Sequence, residues 1–225
     1  MAIDYNKRAS ADPPAQGGVS LSKVTLTKAD PSVSLTKRGA VGGQLRVNLQ
    51  WSTGAPQKKG LFGRLAAAGA GAIDLDLACL WEFSDGSKGV VQALGNAFQA
   101  PYRGAPIIRL DGDDRSGSSA GGENMFIDLA RVNEIRRILV FAFIYEGVPN
   151  WASADGVVTL YPASGPEIEV RLDGADTGSP TCAIAMLENK GGELVVHREI
   201  RYIRGGQADL DRAYGWGMEW TRGRK

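Results

Sequence analysis

Period-two alternation of apolar and polar residues recurs along this chain, and it decides the fold class before anything else does. In Gln44-Leu-Arg-Val-Asn-Leu-Gln-Trp51 the residues Leu45, Val47, Leu49 and Trp51 share one face, as a half-buried strand requires. Residues 166–173 alternate throughout, whereas Ile138-Leu-Val-Phe-Ala-Phe-Ile144 is continuously apolar, the pattern of a central strand covered on both faces. Further strand-like runs lie at 23–27, 32–36, 73–82, 88–93, 106–110, 124–129, 135–145, 157–162, 181–189 and 193–203. Turn formers separate them, for example Ser84-Asp-Gly86 and Glu188-Asn-Lys-Gly-Gly-Glu193. A helical pattern is confined to Gln207–Tyr214, with Gly215 ending it. Many short strands with almost no helix predict an all-β fold, a two-sheet β-sandwich with a short C-terminal helix.

At 225 residues with 43% hydrophobic content, the chain can bury one sizeable core. Residues 1–18 read as a flexible N-terminal tail punctuated by Pro13-Pro14 and Gly17-Gly18. Residues 19–220 form the sandwich domain, residues 54–72 a loop insertion within it, and residues 221–225 a basic tail. In the insertion, Leu61, Phe62 and Leu65 beside Lys58, Lys59 and Arg64 suit a membrane surface or a partner, though a plain loop is the simpler expectation. The net charge of +1 argues against a highly charged nucleic-acid binder, so no nucleic-acid partner is expected. No apolar run approaches the ~20 residues that span a bilayer, and the N-terminus lacks a secretory apolar segment. The expectation is a cytoplasmic protein that is not transmembrane. Cys79 and Cys182 sit in apolar strand-like runs and read as buried thiols. The single histidine, His197, leaves little for zinc or triad chemistry and is expected to line a strand.

Two acidic features carry the chemistry. The stretch from Asp111 to Asn124 places Asp111, Asp113, Asp114 and Glu123 in a Gly/Ser-rich loop. Carboxylates this close repel one another unless a cation lies between them, and hard oxygen donors on a glycine-bearing backbone suit Ca²⁺. A solvated acidic turn is the plainer reading. It is not an EF-hand loop: counted from Asp111, Arg115 occupies a ligand position and no Glu closes the loop. In Ile73-Asp-Leu-Asp-Leu-Ala78 the apolar residues share one strand face while Asp74 and Asp76 share the other. Residues two apart on a strand lie roughly 6–7 Å apart, near enough for two carboxylates to clasp one ion or to serve two. A half-exposed polar strand face is the alternative, although Asp is depleted in strands.

Several landmarks together resemble the TerD family of bacterial tellurium-resistance and stress proteins. Val19-Ser-Leu-Ser-Lys23 followed by Val33-Ser-Leu-Thr-Lys37 is similar to its N-terminal repeat, and the Asp74-Leu-Asp76 strand to its Asp-x-Asp strand. Gly112-Asp-Asp-Arg-Ser-Gly117 is similar to its Gly-Asp-Asn-x-Thr-Gly loop. Phe143-Ile-Tyr-Glu146 takes the place of its apolar strand ending in Glu, and Ala208–Gly215 that of its terminal helix. The match is collinear over roughly 19–217. The resemblance implies a Ca²⁺-binding sandwich without catalytic activity, linked to tellurite resistance and stress. It also implies association with other Ter-family proteins, including a membrane Ter partner at the inner membrane face. Carried over, the ligands are Asp74, Asp76, Asp113, Asp114, Glu123 and Glu146, with an oxygen from Ser116; Asp111 ranks below them because it falls outside the matched loop. Two departures stand out. Residues 118–122 lack the family's dense acidic run, which implies weaker affinity or one lost site. The basic insertion resembles the larger, divergent TerA-like paralogues.

Three other readings compete. One is a degenerate interaction module of the same fold that has lost its metal. Another is a carboxylate-based hydrolase using Asp74 with Glu146, or Asp113 with Glu123. The third is a carbohydrate-binding sandwich in which Trp81, Trp151, Trp216 and Trp220 stack on sugars, although strand aromatics are more often core. The Arg131–Arg137 stretch reads as a solvated face, and Trp216–Trp220 either caps a sheet or forms an exposed patch.

Overall fold

A computed structural model describes residues 23–52, 73–111, 122–146, 151–174 and 178–221. The first two strands are short, β1 (Val24–Thr25) and β2 (Ser32–Ser34). Then come β3 (Gln44–Gln50), β4 (Asp74–Phe83), β5 (Lys88–Val91), β6 (Gln99–Tyr102), β7 (Ala105–Leu110) and β8 (Glu123–Asp128). They are followed by β9 (Ile135–Glu146), β10 (Val157–Tyr161), β11 (Ile168–Arg171), β12 (Thr181–Lys190) and β13 (Glu193–Ile203). Helices α1 (Trp151–Ala154) and α2 (Gln207–Tyr214) complete the regular elements, with 3₁₀ turns at Thr36–Arg38, Leu94–Asn96 and Leu129–Glu134. Among the described residues these build a seven-stranded sheet ordered β1-β11-β10-β3-β8-β7-β6 and a six-stranded sheet ordered β2-β13-β12-β9-β4-β5. The all-β sandwich with its C-terminal helix is therefore what the alternation predicts. β6 is the strand that pattern reading passes over, because Pro101 and the Gly95 turn interrupt its alternation.

The two sheets bury one core between them. Leu45, Val47 and Leu49 of β3 and Met125 and Ile127 of β8 meet Leu75, Leu77 and Cys79 of β4 and Ile138 and Val140 of β9. A second, smaller core lies on the outer face of the six-stranded sheet. There Ala78, Leu80, Leu139, Phe141, Phe143 and Ala183 pack under Leu210 of α2 and Trp216. β9 feeds both cores from alternate residues, which is why its apolar run is continuous.

The C-terminal segment is pinned onto this sheet by polar contacts. The Asp211 carboxylate accepts from the Gly217 and Met218 N–H groups at 2.9 Å and from Trp220 Nε1 at 3.0 Å. Trp216 Nε1 donates to Trp81 O at 3.1 Å, and the Lys88 ammonium donates to Trp216 O at 2.8 Å. Trp216–Trp220 thus caps the sheet. The Arg131–Arg137 stretch differs from the solvated face expected of it. Arg136 and Arg137 clasp the buried Glu82 carboxylate at 2.6 and 2.7 Å, and the Arg137 guanidinium lies 3.9 Å above the Trp216 ring. A buried carboxylate is tolerated only when paired and hydrogen-bonded, so these arginines hold the cap and the sheet together. Cys79 and Cys182 are free and buried, as expected, and burial pushes the Cys79 thiol up. His197 lines β13, facing Met186 and Ser32 in register.

Candidate metal centre

β5 pairs with β4 only from Cys79 to Glu82. On that side the first half of β4, Asp74 to Ala78, has no neighbouring strand among the described residues. Its other side is paired with β9, where Asp74 stands opposite Glu146 and the register slips between Asp74 and Leu75. A slip of this kind re-aims side chains locally. Leu75 and Leu77 enter the inter-sheet core, which leaves Asp74 and Asp76 on the opposite face, as the alternation requires. They are not the half-exposed polar face of the plainer expectation: Asp74 is 8% and Asp76 1% exposed.

Glu123 begins β8 in the facing sheet. It shares the inward face with Met125 and Ile127 and is 2% exposed. Its Oε2 accepts the Leu77 N–H of β4 at 2.5 Å. A backbone donor on the uncovered flank of β4 thus finds its acceptor in the opposite sheet, and the carboxylate joins the two layers at this end of the sandwich. Gly122 sets the approach. Its φ is +62°, and a Cβ there would lie 2.1 Å from Leu49 O, so only glycine fits. Around Glu123, Asn48 Nδ2 donates to Asn124 Oδ1 at 2.9 Å and to Glu123 O at 3.3 Å. Trp51 Nε1 donates to Ile73 O at 3.0 Å, tying the end of β3 to the residue before β4. Asp111 is exposed. Its N–H donates to Asn124 O at 2.8 Å, so the two ends of the acidic loop lie side by side next to Glu123.

The structure brings Asp74 and Asp76 onto one face of β4 and carries Glu123 to the same strand from across the sandwich. Glu146 meets Asp74 in backbone register. Asp113, Asp114 and Ser116 lie outside the described residues. Among the described residues, no group of three or more His, Cys, Asp or Glu side chains is gathered as a metal cluster. The donors present here are carboxylates, without Cys or His, and their chemistry fits a hard cation such as Ca²⁺ rather than Zn²⁺. Asn48, Trp51, Gly122 and the Leu77 amide are the supporting residues that sequence patterning did not single out. The alternation carries no signal for them, because Asn48 falls at a position where a polar residue is expected.

Fold and site define a two-sheet β-sandwich with buried carboxylates at one end. No family model matches the chain. Tellurium resistance protein TerA of Alcaligenes sp is 48% identical over 207 residues, 92% of this chain and 60% of that protein. The chain therefore spans about three-fifths of the length of that curated relative. Two crystal structures share the fold, each covering 78% of this chain and 98% of its own at 18% identity. One is a protein of unknown function, at TM-score 0.56. The other is a homologue of the telluride resistance protein TerD from Streptomyces coelicolor A3(2), at TM-score 0.50. Over nearly its whole length the chain is thus similar to a Ter protein, the likeness its collinear motifs imply.

The sugar-stacking reading loses two of its four aromatics, because Trp151 and Trp216 are fully buried. Among the described residues, no helix is long and apolar enough to cross a membrane.

Proposed function

We propose that this chain is a non-catalytic, Ca²⁺-binding β-sandwich that serves tellurite resistance and stress responses as a scaffold or sensor. The observation that supports this reading is the burial of Asp74, Asp76 and Glu123 at the sandwich end where the acidic loop departs. Carboxylate oxygens are the hard donors that Ca²⁺ takes, and these side chains stand beside the two ends of a loop that carries further acids. Asp74 and Asp76 would offer ligands from the outer face of β4, with Asp113, Asp114, Ser116 and Glu146 completing the shell, and Glu123 would join from β8 only as the ion draws together carboxylates that are not gathered without it. Asp111 stays at the rim. Bound Ca²⁺ would neutralise the acidic cluster and order the loop, giving partners a surface that depends on the ion. The partners we propose are other Ter-family proteins, including a membrane Ter partner, met in the cytoplasm and at the inner membrane face.

The test is a Ca²⁺ titration of chelator-stripped protein, followed by thermal unfolding and Trp fluorescence with Mg²⁺ as control. Stabilisation at a Ca²⁺ concentration 100-fold above Kd should reach about 2.7 kcal/mol and vanish in Asp113→Ala and Asp74→Ala. A flat response up to millimolar Ca²⁺ would leave the degenerate interaction module as the correct reading.

A further inference from the structure

The two sheets differ in what covers them. The outer face of the six-stranded sheet carries the second core under α2 and Trp216. Among the described residues the seven-stranded sheet has no counterpart. Across its outer face runs an in-register row on five adjacent strands: Gln99 of β6, Arg109 of β7, Phe126 of β8, Arg46 of β3 and Tyr161 of β10. The Arg109 guanidinium lies 4.3 Å from the Phe126 ring centre, and that of Arg46 lies 4.0 Å from the Tyr161 ring centre. Arg46 Nη1 donates to Asn124 Oδ1 at 3.1 Å. Neither arginine forms an ion pair with a carboxylate among the described residues, whereas the nearby Arg171 and Lys23 are both spent on Glu169.

A guanidinium held over an aromatic ring has donors left over for an anion, and Arg46 spends one of its five on Asn124. Arg46 and Arg109 sit two strand spacings apart, roughly 10 Å. A ligand that matches both features carries anionic groups along a chain and flat rings beside them. We propose that this row is a docking face for a short segment of single-stranded nucleic acid, with phosphates at the two guanidinium edges and bases over the Arg–aromatic stacks. The net charge of +1 excludes a polyanion coat but not a two-arginine patch. The smallness of the patch makes the binding weak and its salt dependence shallow.

The experiment is fluorescence anisotropy of a short fluorescein-labelled oligodeoxythymidine titrated with the full chain, repeated across salt concentrations with Ca²⁺ and with chelator. Two neutralised phosphates on a single strand predict a log–log salt slope of about −1.4. Arg46→Gln and Arg109→Gln should each remove about half of that slope, and Phe126→Ala should lower affinity at least about fivefold. Arg46→Lys and Arg109→Lys should keep the slope and still lose affinity. Urea midpoints matched to the parent protein separate these effects from unfolding. The proposal fails if the oligonucleotide does not bind at low salt, if the glutamine variants leave affinity and slope unchanged, or if the lysine variants bind as the parent does. It fails equally if polyglutamate displaces the oligonucleotide at matched charge, which would make the face a dock for acidic protein.

Discussion

Glu123 shows how much one side chain decides at this end of the sandwich. Its carboxylate accepts a strand amide of the opposite sheet, so its two roles, acceptor and charge, separate by substitution. Glu123→Gln keeps a carbonyl oxygen for the Leu77 N–H and should cost under about 1 kcal/mol of ion-free stability, while reducing any Ca²⁺-dependent rise in melting temperature. Glu123→Ala removes the acceptor as well and should cost about 1–3 kcal/mol by urea unfolding even with chelator present. Equal losses in the two variants would show that the amide acceptor role is unimportant. Gly122→Ala meets Leu49 O at 2.1 Å in a left-handed backbone, and should destabilise by more than about 1 kcal/mol. None of this was legible in the sequence. Glu123 looked like one acid among several in a loop, and nothing local announces which amide a side chain will reach across two layers.

At the scale of elements, the C-terminal cap is the piece whose role the sequence left open. The boundaries of α2 were readable, because the pattern runs from Gln207 and stops at Gly215, which takes the left-handed conformation (φ +60°). Where the helix docks was not readable, since its few apolar residues fit many surfaces. The structure docks it through Asp211, which receives three N–H donors. Asp211→Asn puts an amide among those donors and should cost nearly as much as Asp211→Ala, about 2–4 kcal/mol. Chemical denaturation monitored by Trp fluorescence reads this directly, and a near-neutral Asn variant would overturn the three-donor account. Trp216→Ala should cost about 3–5 kcal/mol and expose Phe141 and Leu139 to a hydrophobic dye. Among the described residues the outermost strands are short or interrupted: β1 has two residues, β2 three and β5 four, and β6 carries Pro101. Such edges resist adding a further strand.

At the scale of the whole molecule, three groups among the described residues link the fold to alkaline pH. Burial raises the Cys79 thiol and the Tyr202 and Tyr214 hydroxyls, and a hydrogen bond with Glu199 raises Tyr214 further. Each is held neutral in the fold and ionises more readily in the unfolded chain. The stability they contribute is therefore complete below their unfolded pKa values. It is lost as pH rises past about 9 for the thiol and about 10 for the phenols. The urea midpoint should fall across that range, and Cys79→Ala should remove the earlier part of the fall. A midpoint flat to pH 11 would contradict the burial of these groups.

Period two and the single apolar run determined the fold class, because side-chain alternation in a strand is geometric and independent of partners. The two Asp residues on one face of β4 followed from the same rule. So did the expectation of a central β9, since a strand apolar on both faces must be covered on both. Tertiary structure alone decided that Asp74 and Asp76 would be buried, that Glu123 would bind the opposite sheet, and that Arg136 and Arg137 would clasp Glu82. It also decided that one outer sheet face would be capped while the other displays its arginines. Those outcomes depend on which strands become neighbours across and between sheets. Residues distant in the chain meet there through long-range pairing, about which local patterning is silent.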